Sequence, residues 1–124
     1  AVVTALLERN LIPRVQTKGE TLHERLVERF GQHPHVGDIR GRGLFRGIEL
    51  VRDRESKAPF DPSQGIAGQI KKAAFEAGLI CYPMSGTIDG RRGDHILLAP
   101  PFIIEDAQID ELTDKLDTAI ASVL

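Results

Sequence analysis

Two adjacent arginines, Arg91 and Arg92, are the residues of this sequence whose type and setting best suit ligand binding. Glycines on both sides give the backbone the freedom to present them, and a guanidinium can bind a carboxylate through two parallel hydrogen bonds. The pair lies in a stretch of eleven residues, 83–93, that has neither a helix nor a strand pattern. Loops of this length are more often functional than incidental. The residues alone therefore leave two interpretations open, a mobile surface loop and a carboxylate-binding loop.

The other chemically capable side chains lack the partners that catalysis or metal binding needs. His33 and His35 are two residues apart, but no third metal ligand stands near them. The single cysteine, Cys81, has no adjacent base, and we interpret it as a small buried side chain. Arginines between Arg40 and Arg54 are interleaved with acidic residues, which favours a solvated charge network over a nucleic-acid surface. The sequence therefore predicts no metal site, no catalytic nucleophile and no nucleic-acid partner.

Composition narrows the class of protein further. A chain of 124 residues fits one domain that can bury a core without disulfides or metals. Sixteen basic and eighteen acidic residues leave a formal net charge of -2, which directs the chain to neither nucleic acid nor an anionic membrane. No apolar run approaches the roughly 20 residues of a membrane span, and no signal peptide is visible. One cysteine fits a reducing compartment, so we expect a cytoplasmic protein without a membrane partner.

Hydrophobic spacing predicts the elements that precede the loop. Apolar residues at intervals of three and four indicate a helix over 12–30, in which Gly19 costs stability but lets another backbone approach closely. Strand patterns at 36–40 and 44–52 with glycines between them predict a hairpin. Arg46 is the one charged residue on the apolar side of the second strand.

The remaining elements surround the arginine loop. Asp61 is a suitable cap for the next helix, and Pro62 suits its first position. Pro100 and Pro101 end the last strand because two prolines remove two backbone donors. The prediction is an α+β fold, with a small, mainly antiparallel sheet of about four strands covered by about three helices. The predicted segments are a helix from 61 that ends at Gly78, strands at 79–82 and 95–99, and a helix over 105–124.

The first ten residues are apolar and have no helix cap, so we interpret 1–10 as the tail of a connecting helix. Residue 1 is alanine and the only methionine is Met84. We therefore expect the chain to be a piece of a longer polypeptide.

The chain also contains four motifs in a particular order. They are 37–51 (GDIRGRGLFRGIELV), 78–83 (GLICYP), 97–103 (LLAPPFI) and 105–110 (EDAQID). Together they resemble the C-terminal small domain of class III (omega-type) aminotransferases, which are pyridoxal 5'-phosphate enzymes of fold type I. The resemblance covers nearly the whole chain and assigns 11–124 to that small domain.

The resemblance implies a function for the whole enzyme. It would move an amino group between an amine or amino acid and a keto acid, as a homodimer, with the cofactor bound mainly by a large domain outside this chain. No lysine here matches a cofactor-binding motif, so the fragment alone should be inactive. Aminomutation, decarboxylation and racemisation on the same scaffold stay open. The alternative from another class is a free-standing, non-catalytic ligand-binding or protein-interaction module.

The resemblance further implies an arginine for the substrate carboxylate at one of two places, which here are Tyr82 and Leu97. Since neither is arginine, either the substrate lacks that carboxylate or Arg91 or Arg92 binds it from the loop. We therefore expect Tyr82, Arg91 and Arg92 to be the substrate-binding residues of this chain.

Overall fold

The computed structural model describes all residues from 1 to 124 and shows the predicted α+β fold. Every neighbouring pair of strands is antiparallel, and the strand order in the sheet is β1-β2-β4-β3. None of the helices is long and apolar enough to cross a membrane. The helices are α1 (Val2–Glu8), α2 (Leu11–Phe30), α3 (Ile66–Glu76) and α4 (Asp106–Val123), and the strands are β1 (Val36–Arg42), β2 (Phe45–Leu50), β3 (Tyr82–Ser85) and β4 (Asp94–Leu98).

The core lies between one face of the sheet and the three longer helices. Ile48 of β2 and Ile96 of β4 are register partners, and both are fully buried. Each large aliphatic side chain removed from water in this way contributes about 1.5–3 kcal/mol to folding. Because successive strand residues point to opposite faces, this burial determines which residues remain on the other face. The fully buried helical residues include Leu22, Leu26 and Phe30 of α2, Ile70 of α3, and Ile109, Leu116 and Ile120 of α4.

Arg46 lies on the core face of β2, as its place in the alternating pattern predicted, and it is only 8% exposed. Its guanidinium donates to the carbonyl oxygens of Gly43 (2.9 Å), Gly41 (3.0 Å) and Gly19 (3.2 Å). A Cβ atom at Gly19 would lie 2.3 Å from the Gly43 carbonyl oxygen. The prediction that Gly19 admits another backbone is therefore confirmed. Arg46 ties the β1–β2 turn to α2 at that close approach.

Helices α2 and α4 pack side by side in the same direction with opposite charges in contact. The basic side chains all belong to α2, and the acidic ones belong to α4 or to the residue just before it. Opposite charges in a row favour this pairing of the two helices over a shifted one. The pairs are Arg14–Glu105 (2.7 Å), Lys18–Asp106 (2.6 Å), Arg25–Asp110 (2.7 Å), Arg29–Asp117 (3.1 Å) and Arg29–Asp114.

Two predicted boundaries are wrong. Pro62–Gln64 forms a separate 3₁₀ turn capped by Asp61, and α3 begins only at Ile66 because the left-handed Gly65 (φ 60°) interrupts the helix. The strand expected at 79–82 begins instead at its last residue and continues through Pro83 to Ser85. Proline is tolerated there because β3 is an edge strand with β4 as its only neighbour. The arginine loop is consequently shorter than expected, from residue 86 to residue 93.

Candidate functional site

One face of the sheet lies opposite the helices, and we call it the open face. Tyr82 of β3 and Leu97 of β4 are register partners on it, so their side chains point to the same side. Leu97 also pairs with Gly47 of β2, and Gly47 pairs with Arg40 of β1. One row of residues therefore crosses all four strands of the open face in the order Arg40, Gly47, Leu97, Tyr82.

A second, more polar row runs beside the first. Glu49 of β2 is the register partner of Asp38 on one side and of His95 on the other, and His95 pairs with Met84. Large apolar side chains are exposed among these polar ones, and Tyr82 is 58% exposed. An exposed face that mixes apolar and charged groups is suited to contact with a ligand or another domain.

A depression of about 430 Å³ lies on the open face. Gly47 leaves room at its centre, since a Cβ there would meet only the Leu97 side chain, at 3.6 Å, and the Arg40 carbonyl oxygen. The hairpin loop between β3 and β4 contributes one wall. The lining residues are Arg40, Gly47, Ile48, Glu49, His95 and Leu97 of the sheet, with Thr87 and Ile88 of the loop.

Arg40 is the only lysine or arginine that lines this depression. Its Nη1 atom lies 3.0 Å from Asp38 Oδ2 and 3.8 Å from Glu49 Oε2. The Arg40 side chain is 70% exposed, whereas that of Glu49 is 33% exposed. Exposed ion pairs of this kind are weak, so the guanidinium is free to change partners.

The hairpin loop, residues 86–93, is closed by its own hydrogen bonds. Backbone bonds join Gly86 N–H to Gly93 O (2.8 Å) and Ile88 N–H to Arg92 O (2.9 Å). Asp89 accepts from the backbone N–H of Arg92 (2.8 Å), from Arg92 Nε (2.8 Å) and from the N–H of Arg91 (3.1 Å). These hydrogen bonds lower the pKa of Asp89 to about 2. The loop is thus a hydrogen-bonded turn held by one carboxylate.

The structure does not bring Tyr82 together with Arg91 and Arg92. Tyr82 begins β3 and the loop follows Ser85, so about 10 Å of strand separates them. Arg91 lines a cavity of about 160 Å³ on the helix side of the sheet, together with Asp94 and the first turn of α3. Arg92 pairs with Asp89, as described above. The three predicted substrate-binding residues therefore fall into two separate groups.

Sequence reasoning missed a buried carboxyl, Asp94, which is 7% exposed at the start of β4. Burial raises its pKa, and the backbone N–H of Ala67 in the first turn of α3 partly offsets this effect. It also missed the meeting of Arg40, Glu49 and His95. The sequence did contain a signal for this meeting. In the predicted hairpin, Arg40 and Glu49 occupy the alternate positions, which point away from the apolar face.

The surroundings of Cys81, and of the two histidines at positions 33 and 35, indicate structural roles. Cys81 is buried, and burial raises its pKa to about 11, so the thiolate is scarce at neutral pH. His33 Nδ1 accepts the backbone N–H of His35 (3.1 Å), and His35 Nδ1 lies 3.1 Å from the Val51 carbonyl oxygen. No group of three or more His, Cys, Asp or Glu residues is placed to hold a metal ion.

The lysines of the chain do not fit covalent attachment of a cofactor. A lysine that forms a Schiff base is typically desolvated or next to another cation, which lowers its pKa. Here Lys18 pairs with Asp106 (2.6 Å), Lys115 pairs with Glu111 (2.7 Å), and Lys57 donates to the Gly37 carbonyl oxygen. The other two, Lys71 and Lys72, are exposed on α3.

The chain is thus an α+β domain with a ligand-sized depression on the open face of its sheet. The model of the aminotransferase class-III family matches residues 1–120. The chain belongs to this family, and the resemblance carried by its four motifs is confirmed.

Three related proteins illustrate the relationship. An aminotransferase of Schizosaccharomyces pombe, described as uncharacterized, is 48% identical over 124 residues, which are 100% of this chain and 27% of that protein. A leucine/methionine racemase of Thermococcus litoralis is 33% identical over 123 residues, which are 99% of this chain and 26% of that protein. The solved structure of a transaminase from the marine bacterium Virgibacillus matches with a TM-score of 0.89 at 30% identity, over 98% of this chain and 26% of that one. The chain thus spans about a quarter of the length of these relatives.

Proposed function

We propose that the enzyme containing this chain is a pyridoxal 5'-phosphate-dependent aminotransferase that moves an amino group between an amine or amino acid and a keto acid. The family match over residues 1–120 supports this activity. When bound, the cofactor supplies the electron sink for the amino-group transfer. Because no lysine of this chain fits its attachment, we assign the cofactor lysine to the rest of the enzyme. This chain contributes a substrate-facing wall and is inactive alone.

Tyr82 and Leu97 are register partners on the open face, and this single observation supports a role for particular residues. Both positions are those at which the resemblance implies a substrate-binding arginine. We propose that Tyr82 contacts the substrate through its exposed ring and hydroxyl group, while Leu97 provides an apolar wall. A phenol and an aliphatic side chain accept an uncharged substrate group at lower desolvation cost than a charged one.

Arg91 and Arg92 remain proposed as substrate-binding residues for a carboxylate. In this structure Arg92 is engaged by Asp89, and Arg91 lines the cavity on the helix side. To bind a substrate on the open face, Arg91 would have to swing around the end of the hairpin, and Arg92 would have to leave Asp89. If one of them does so, its replacement by alanine in the full enzyme should cost keto acids about 1.5–3 kcal/mol in kcat/KM, the worth of a charged hydrogen bond.

A second activity has one observation in its favour, because the relative from Thermococcus litoralis is named a leucine/methionine racemase. Racemisation, like aminomutation and decarboxylation, begins from the same cofactor chemistry and needs no keto-acid partner. The free-standing interaction module has no such support, since the relatives described above are all named as enzymes.

We also propose that the full enzyme is a cytoplasmic homodimer. The single buried cysteine supports a reducing compartment, and the class III resemblance supports a dimer. Sedimentation of the full enzyme measures its assembly state directly.

Transamination and racemisation are distinguished by one experiment on the full enzyme loaded with pyridoxal 5'-phosphate. A set of amines and amino acids is supplied as donors with pyruvate, and alanine is measured by chromatography on a chiral column. Alanine that forms only in the presence of both donor and pyruvate supports transamination. Inversion of an amino acid without pyruvate supports racemisation. Failure of both reactions with every donor, together with failure to aminate an aldehyde acceptor such as propanal, would contradict the proposal.

A further inference from the structure

We infer that Arg40 binds the carboxylate group of the substrate, whether this is the keto acid or the amino acid. This inference rests on the proposed function and names a residue for the same site. It differs from the hairpin hypothesis because Arg40 already lies on the open face, in the same row as Leu97 and Tyr82.

The guanidinium group of Arg40 has one edge without a partner in this chain. Both acidic contacts of Arg40, to Asp38 and to Glu49, involve the Nη1 atom. Within the chain Arg40 makes one side-chain hydrogen bond, from Nη1 to Asp38. A guanidinium has five N–H donors in a planar fork. The Nη2 and Nε atoms therefore keep donors for a bidentate carboxylate, while the acidic neighbours orient the group from its other side.

The shape of the depression suits a short ligand with a carboxylate at one end. Gly47 stands between Arg40 and Leu97 in the row, and it has no side chain to separate them. Leu97, on the other side of Gly47 from Arg40, and Ile88 of the hairpin loop are apolar residues of the lining. A ligand with a carboxylate at one end and a small apolar group at the other matches this arrangement. Short 2-oxo acids and the corresponding amino acids have this form.

The charges around Arg40 determine how selective the site is. The one arginine has two acidic neighbours, Asp38 and Glu49. His95 is the register partner of Glu49 on the same face. A carboxylate without a good fit to the free edge of Arg40 is repelled by these acids. Binding should therefore depend on bidentate geometry, which lysine cannot reproduce.

The test compares Arg40→Gln with a matched control, Arg42→Gln, in the full enzyme. Arg42 is an exposed arginine two residues further along β1, and it lies beside a different hollow that faces α2. Each variant is assayed with one amine donor and two acceptors of equal carbon number, pyruvate and propanal. Pyruvate has the carboxylate, and propanal lacks it. Circular dichroism melting shows that each variant is folded.

Arg40→Gln should lower the ratio of kcat/KM for pyruvate to kcat/KM for propanal at least tenfold. Arg40→Lys should lower it by a smaller factor, and Arg42→Gln should leave it within twofold of the parent. Gly47→Val, which fills the hollow, should lower the same ratio. An unchanged ratio in Arg40→Gln overturns the inference. So does a pyruvate-specific loss confined to Arg91→Gln or Arg92→Gln, which would place the carboxylate site in the hairpin.

The same assay separates this inference from the proposed function. If the parent aminates propanal but not pyruvate, the aminotransferase assignment stands and the Arg40 inference fails. If the parent aminates neither acceptor with any donor, the proposed function fails, and direct titration of the parent and of Arg40→Gln with pyruvate decides the inference. Pyruvate binding that Arg40→Gln abolishes upholds it. Absent binding, or binding that the variant retains, overturns it.

Discussion

Tyr82 and Leu97 face each other across neighbouring antiparallel strands, fifteen positions apart in the chain and on the same open face. These are the two places at which the class III resemblance implies an arginine for the substrate. Since they are cross-strand partners, an arginine at either one would present its charge to nearly the same region. Sites that differ in sequence are therefore equivalent in space.

This equivalence predicts that Tyr82→Arg and Leu97→Arg have similar effects in the full enzyme. Each should improve kcat/KM for carboxylate-bearing acceptors by about 1.5–3 kcal/mol relative to an aldehyde, because each adds a charge-assisted hydrogen bond on the open face. The measurement is the ratio of the two rate constants for both variants. Lys72→Arg on the outer side of α3 is the control. If both open-face variants match this control, the open face does not contact the substrate.

Gly19→Ala should destabilise the fold by about 1–3 kcal/mol, the usual cost of forcing extra volume into a packed contact. The new Cβ would lie 2.3 Å from the Gly43 carbonyl oxygen. Neither the helix backbone at residue 19 nor the backbone of Gly43 can rotate away, as a flexible side chain could. Gly68→Ala is the matched control, because a Cβ there meets nothing within 4 Å inside α3. The control should be neutral or stabilising by up to about 1 kcal/mol. Urea unfolding of both variants provides the comparison, and equal midpoints would contradict this account of Gly19.

Arg46→Met should cost about 2–4 kcal/mol of stability, although methionine is apolar and of similar length. The substitution removes the three hydrogen bonds that the guanidinium donates to the carbonyl oxygens of Gly41, Gly43 and Gly19, and each such bond contributes a net of about 0.5–1.5 kcal/mol. Arg42→Met on the exposed part of β1 should change stability little. The test is again urea unfolding. A stabilised Arg46→Met protein would show that desolvation of the guanidinium outweighs its three hydrogen bonds.

His33 should make folding stability rise with pH in the mildly acidic range. Burial lowers its pKa, the nearby His35 lowers it further, and Asp117 opposes both effects. The folded pKa therefore lies below the unfolded value of about 6.5, so the unfolded chain binds more protons between the two. The His33 contribution to stability is gained as pH rises through that window, and it levels off about one pH unit above the unfolded pKa. The test is thermal unfolding of the parent and of His33→Gln from pH 4.5 to 8. The difference in Tm between the two proteins should change through the window and become constant above it. A Tm difference that is the same at every pH would contradict this role of His33.

Pyridoxal 5'-phosphate should not attach to one particular lysine of this chain. The five lysines are ion-paired, bonded to a backbone carbonyl or exposed, and none has the desolvated setting that favours a reactive amine. Incubation with the cofactor, borohydride reduction and peptide mass analysis should show sparse labelling spread over several lysines. A single lysine labelled stoichiometrically would show that this chain holds the cofactor itself.

Local patterns in the sequence were sufficient for much of the fold. Apolar spacing placed the long helices, the alternation of residues 44–50 placed Arg46 on the core side, and Gly19 was correctly interpreted as a point of close approach. These features depend on neighbours a few residues away, where periodicity is informative. The four ordered motifs were sufficient for the family, which the match over residues 1–120 confirms.

The start of α3 and the limits of β3 could not be predicted because they depend on contacts beyond the local pattern. A left-handed Gly65 separates the capped 3₁₀ turn from α3, although the residues before it have all the signs of a helix start. Proline at position 83 argues against a strand in isolation, yet it is accommodated because β3 lies at the edge of the sheet.

The sequence by itself therefore determined the α+β class, the family and the arginine loop as a hypothesis. Only the tertiary structure decided which residues share the open face. The strand order β1-β2-β4-β3 brings Arg40, Gly47, Leu97 and Tyr82 into one row and leaves Arg91 on the other side of the sheet. Register between strands that are distant in the chain depends on burying one complete face against the helices, and no local pattern contains that information.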